Sequence, residues 1–106
     1  MIDIIVETPK GPQQMLLQKD FYLNPRNTAL RLYYTDEEGN VELWSTLTVN
    51  IKEKLPAGCV AIKDYSEGDG NLEMLLKAGI VSEPIYFVHS GFVDIPVCQL
   101  INQELL

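Results

Sequence analysis

Apolar and polar residues alternate with a period of two over most of this chain, and recur at spacings of three and four in one short stretch. Leu30, Leu32 and Tyr34 alternate with Arg31 and Tyr33, the pattern of a half-buried strand. The next run has the strongest alternation. Val41, Leu43, Leu47 and Val49 fall on one face with Ser45 between them, and Glu42, Trp44, Thr46, Thr48 and Asn50 fall on the other. Asp36-Glu37-Glu38-Gly39-Asn40 separates the two runs and supplies Gly and Asn for a hairpin loop. Residues 28–50 are therefore expected to form an antiparallel hairpin.

Residues 2–7 and 13–19 read as an earlier hairpin around Pro9-Lys10-Gly11-Pro12. Residues 59–62 read as a short strand, and residues 85–88 and 92–100 as a closing pair. Pro96 has no N–H to give to a ladder, which predicts an edge strand or a bulge at that point.

One helix is expected, at about residues 69–79, because Leu72, Leu75, Leu76, Gly79 and Ile80 fall on one helical face. Ser66, Asp69 and Asn71 can cap its start, and Lys77 suits its last turn. Gly79 reads as the left-handed residue that ends it, with Ile80 folding back. A helix this short is marginal alone, so packing on the sheet must hold it. The expected fold class is α+β: a mostly antiparallel sheet of five to seven strands with one short helix packed on it.

At 106 residues the chain fits a single domain, residues 1–106, and 46% apolar residues suffice for a core without disulfide or metal. The net charge is −7, and the eight basic residues are scattered, so direct nucleic-acid binding and binding to anionic membranes are not expected. No basic segment precedes the first apolar run, so residues 1–7 do not read as a signal peptide, and no apolar run approaches the ~20 residues of a membrane helix. Cys59 and Cys98 each sit in an apolar, strand-like run and read as buried, reduced core thiols of a cytoplasmic protein. Two isolated cysteines and one histidine do not make the common zinc ligand sets, and no phosphate loop or dinucleotide fingerprint occurs, so no cofactor is expected.

Three segments resemble the bacterial family domain of unknown function 4313: Thr46-Leu47-Thr48-Val49-Asn50, then Ile62-Lys63-Asp64-Tyr65-Ser66-Glu67 leading through Leu72 to Ala78-Gly79-Ile80, then Ser90-Gly91-Phe92-Val93-Asp94-Ile95-Pro96-Val97. The likeness spans roughly residues 28–100. The family's loop tends to read Glu-Asn-Glu-Gly where this chain has Glu67-Gly68-Asp69-Gly70. The resemblance implies a small, single-domain cytoplasmic protein of bacteria, often encoded near plasmid or conjugative-element genes. It implies no activity.

Three groups carry candidate chemistry. Asp64, Ser66, Glu67, Asp69 and Asn71 have the composition of a calcium loop but not its register, since glycine falls at the fifth position from Asp64 and not the sixth. Helix capping explains most of this group, and a partner-binding loop is the functional alternative. His89, Ser90 and Asp94 match a nucleophile–base–acid set by residue type, without a nucleophile elbow around the serine. Tyr33 and Trp44, with Tyr65 or Tyr86 near them, are either a second buried layer or exposed interface anchors. The apolar tail, residues 100–106, packs back on the sheet or serves a dimer.

The leading expectation is a non-enzymatic protein-interaction module, an accessory protein of a bacterial mobile element by the family resemblance. Its expected contact residues are Trp44, Tyr33, Tyr65, Glu67 and Asp69, and its expected partner is a protein, a second copy of itself included. The alternatives are a small hydrolase or ligand-binding enzyme using His89 with nearby carboxylates, and an acidic mimic of nucleic acid. Convergence of His89, Asp94 and Glu67 or Asp69 on one pocket would favour the enzyme.

Overall fold

The computed structural model describes all 106 residues, apart from the side chain of Glu67. The chain folds as seven strands and one short α-helix: β1 Ile2–Thr8, β2 Gly11–Phe21, β3 Thr28–Thr35, β4 Val41–Thr46, β5 Cys59–Ala61, α1 Asn71–Lys77, β6 Tyr86–Ser90 and β7 Val93–Gln99. All the strand pairings are antiparallel. They form a four-stranded sheet, β1-β2-β3-β4, and a three-stranded sheet, β5-β7-β6. The α+β class is as the alternation and the helical stretch require.

The two sheets meet edge to edge. Beyond Thr46 the chain leaves the first sheet and pairs with the residues around Ile62, through a bridge between Thr48 and Ile62. Val49 N–H donates to Ala61 O, and Lys63 N–H donates to Leu47 O. The strand expected over residues 41–50 therefore divides between the sheets. Thr48 sits buried at the junction, where its Oγ1 shares a hydrogen bond with Tyr22 Oη at 2.9 Å and accepts one from Leu30 N–H.

The side-chain alternation expected for that strand fails before the junction. Val41 and Leu43 are exposed, not buried. The cause is an irregularity in register: Leu32 pairs with Ser45, but Tyr33 pairs with Leu43, so Trp44 is an extra residue on β4. A single inserted residue turns every side chain on one side of it to the opposite face. Ser45 and Leu47 keep the inner face, while Leu43 and Val41 move to the outer face beside Tyr33 and Thr35.

Pro96 is a second correction. Its strand, β7, is the central one of the small sheet and not an edge. It is tolerated because the β5 ladder ends one residue earlier, at the Ala61–Val97 pair. The Pro96 carbonyl accepts from Ile62 N–H, so the proline nitrogen points to the same side, past the end of that ladder.

The main core lies between the inner face of the first sheet, α1 and one face of the small sheet. It includes Ile4, Val6, Leu17, Leu30, Leu32, Leu47, Val60, Ile62, Leu75, Ile80 and Cys98. A second cluster covers the other face of the small sheet, with Ile51 and Leu55 packed on Cys59, Ala61, Ile95 and Val97. Asn27 anchors this cover. It is buried, its Oδ1 accepts from Leu55 N–H at 2.8 Å, and its Nδ2 donates to Glu53 O at 2.9 Å. The C-terminal tail packs back: Leu100 and Leu105 enter the main core, and Ile101 N–H donates to Ile80 O.

Helix α1 ends as its sequence predicts. Gly79 has φ +70°, Gly79 N–H donates to Leu76 O, and Ile80 N–H donates to Leu75 O, which is the Schellman arrangement with Ile80 buried. Its start differs. Gly70 is the N-cap residue, and none of Ser66, Asp69 or Asn71 caps it. Asp64 takes that role from the segment that follows β5, its Oδ1 accepting from both Gly70 N–H and Leu72 N–H at 3.2 Å. Asn71 instead donates its Nδ2 to Lys63 O at 2.8 Å and ties the helix to the loop.

Both cysteines are buried free thiols, one in each core cluster and therefore on opposite faces of the small sheet. Burial pushes the Cys59 thiol up, and pushes Cys98 up to about 11. At pH 8 only about one Cys98 in a thousand is then the reactive thiolate. Ellman's reagent is expected to leave the native chain unlabelled on the minute timescale and to titrate two thiols per chain in denaturant. Rapid labelling of the native chain would show that the thiols are not packed as described.

Candidate functional site

A groove of about 860 Å³ runs between α1 and the first sheet, lined on one side by five consecutive β1 residues, Asp3 to Glu7. Ile4 and Val6 point to the inner face, while Asp3 and Ile5 share the outer face with their partners on β2. A groove that touches both sets follows the free edge of the strand. Trp44, Ser45 and Leu47 line the groove as well. The sheet therefore curls enough to bring β1 and β4, its two end strands, around the same opening.

Trp44 reaches the opening through its bulge. Trp44 is 46% exposed, and its indole meets the Tyr34 ring edge-on, with centroids 5.7 Å apart and planes at 84°. Tyr34 Oη donates in turn to Glu42 Oε2 at 3.3 Å, and the Glu42 charge raises the tyrosine pKa. The indole is thus braced on one side and open on the other. Asp3 and Glu7 of β1, Asp69 of the loop before α1 and Glu73 of α1 line the groove, four acidic residues in all. Lys77 is the one cation in the lining, and it pairs with Glu73 at 3.0 Å.

Two of the five residues singled out from the sequence meet here, Trp44 and Asp69. Tyr33 lies on the opposite face of the sheet, half-buried beside Leu16 and Leu43. Tyr65 packs against the second core cluster, with Lys63 Nζ 6.0 Å from its ring centre. The Glu67 side chain lies outside the described residues. Asp3 and Glu7 were missed, although their signal was present: with Ile5 they occupy alternate positions on one strand.

His89 and Asp94 do meet, because they are direct partners across the β6–β7 hairpin, with Nδ1 and Oδ1 2.8 Å apart. The pair is largely exposed, at 75% and 67% for the two side chains. Ser90, one residue on, points to the other face of the strand. The pair does not share a described cavity with Asp69. Among the described residues, no three His, Cys, Asp or Glu side chains gather as a metal would require. The Asp64 carboxylate of the former loop candidate is engaged with backbone N–H groups. No helix is long and apolar enough to cross a membrane.

Comparison with family models, with curated proteins and with solved structures gives no match.

Proposed function

We infer that this protein is a protein-interaction module that takes an extended, basic peptide segment of a partner into the groove beside β1. One observation carries the reading: the unpaired edge of β1 and the exposed face of Trp44 share one groove, under four carboxylates. A free strand edge offers main-chain N–H and C=O groups to an added strand, which supplies affinity, while pockets beside it choose side chains. The carboxylates favour Lys and Arg, and an open indole attracts their cationic ends. Cys59 and Cys98, buried as free thiols on opposite faces of the small sheet, support a cytoplasmic setting. The resemblance to domain of unknown function 4313 supports a role as accessory protein to a bacterial mobile element. Neither the His89 hydrolase nor the nucleic-acid mimic has a comparable observation in its favour.

Calorimetric titration with two synthetic peptides of equal length tests the reading, one alternating Lys with Val and one alternating Glu with Val. The Lys peptide is expected to bind at one site, more weakly as salt rises. Asp3→Lys with Glu7→Lys is expected to weaken it at least tenfold, and Trp44→Ala to weaken it as well. Equal binding of the two peptides, or binding untouched by these substitutions, would remove the groove as the interaction site.

A further inference from the structure

The link between the two sheets leaves β1 at one end of the assembly of strands and β6 at the other, and beside the junction it leaves β4 open over Val41–Thr46, where Glu42 and the bulge at Trp44 interrupt the edge. The two ends are built differently. β1 carries Asp3 and Glu7, and charged side chains are the usual protection of an edge against a copy of itself. The segment from Ile85 to Ser90 contains no Asp, Glu, Lys, Arg or Pro. Its one histidine, His89, already faces Asp94 on the neighbouring strand.

The same hairpin concentrates exposed apolar side chains. Ile85 is 50% and Phe87 58% exposed, Tyr86 is exposed, and Phe92 at the turn stands fully in solvent. Phe87 lies on one face of the strand beside Pro96, and Tyr86 on the other beside Val97. An added strand would cover apolar surface on both faces.

We propose that β6 pairs antiparallel with β6 of a second copy across a two-fold axis, joining two small sheets into one. Charge selects this occupant. Each chain carries −7, so two copies repel overall, and they associate only through a contact that brings no like charges together. Of the open edges, β1 carries Asp3 and Glu7 and β4 carries Glu42, and only β6 meets that condition. An antiparallel edge is also its own complement under a two-fold rotation. The area sets the strength. Large aromatic side chains bury about 150–250 Å² each when fully covered, and those of this hairpin are already partly covered. The contact is therefore smaller than the about 800 Å² per partner of a standard stable interface, which makes a reversible dimer. This inference does not depend on the groove beside β1.

Sedimentation velocity over a wide range of concentrations tests it. The mass is expected to rise from the 12.0 kDa monomer towards twice that value as concentration increases. Added salt is expected to strengthen the dimer by screening repulsion between the copies, opposite to its effect on a basic peptide in the groove. Phe87→Lys, and separately Ile85→Lys, place like charges at the shared edge and are expected to weaken the dimer at least tenfold. Both positions are exposed, and a circular-dichroism melt confirms that each variant folds. Trp44→Ala is expected to leave the dimer unchanged. A monomer at every concentration, or a dimer indifferent to both lysine variants, would overturn the proposal.

Discussion

Leu75→Ala is expected to remove about 3–5 kcal/mol of folding stability, the upper range for truncating a buried leucine. Leu75 is fully buried, at 0% exposure, and is the residue of α1 that enters the main core outright. Leu72, Met74 and Leu76 pack against the same cluster but remain partly exposed. Alanine there loses the transfer energy of the isobutyl group and leaves a cavity. The buried cluster to which it belongs, with Leu17, Leu30, Leu32 and Leu47 from the sheet, is close-packed and limits collapse. Domains typically have only about 5–15 kcal/mol of net stability, so the variant stands near unfolding. Urea denaturation followed by Trp44 fluorescence measures the change. With a slope of about 1–3 kcal/mol per molar, the midpoint should fall by more than about 1 M. A loss below about 1 kcal/mol would mean that the helix is not seated as described.

Gly68→Ala is the second large effect, and its cause is lack of space. A Cβ at Gly68 would lie 2.6 Å from the Lys63 carbonyl oxygen and 3.0 Å from Asn71 Nδ2. The oxygen is main chain and already accepts the Asn71 hydrogen bond, while Lys63 N–H donates to Leu47 across the sheet junction. Relief therefore requires moving the junction or breaking the tie to α1. The expected cost is about 2–3 kcal/mol, within the range for overpacking a tight site. Gly70→Ala, two residues on, gives the contrast. Nothing lies within 4 Å of its Cβ, and the strain comes from φ +94° alone. A left-handed residue costs roughly 1–2 kcal/mol, so Gly70→Ala should be the milder variant in the same urea denaturation. The reverse order would show that the loop is looser at Gly68 than these contacts imply.

The Gly68 contacts also explain why the loop resisted reading from sequence. Glu67-Gly68-Asp69-Gly70 looks like a polar, permissive turn, and its acidic residues look like caps. In the fold Gly68 is buried and Asp64 does the capping, from a position ahead of the loop. Composition shows which residues can accept hydrogen bonds. Which one lies nearest the helix start depends on how the chain arrives from β5.

The groove was half legible. Trp44 and Asp69, both named from the sequence, line it, but unbroken alternation also puts Tyr33 with Trp44. One extra residue at Trp44 separates them, placing the indole at the groove and leaving Tyr33 on the outer face. Period-two arguments depend on the partner strand, and a bulge is a property of the pair.

From the sequence alone follow the α+β class, the hairpin turns, the helical face of Leu72, Leu75 and Leu76, the Gly79 terminus and the buried thiols. Each is set within a few residues, where local sterics, turn chemistry and periodic burial act. The tertiary structure alone decided the division into two linked sheets, the place of Pro96 past the end of a ladder, the bulge at Trp44, and the meeting of Asp3, Glu7, Trp44 and Asp69 around one groove. Those outcomes depend on strand register and sheet curvature, which arise from contacts between residues far apart in the chain, and no local pattern encodes them.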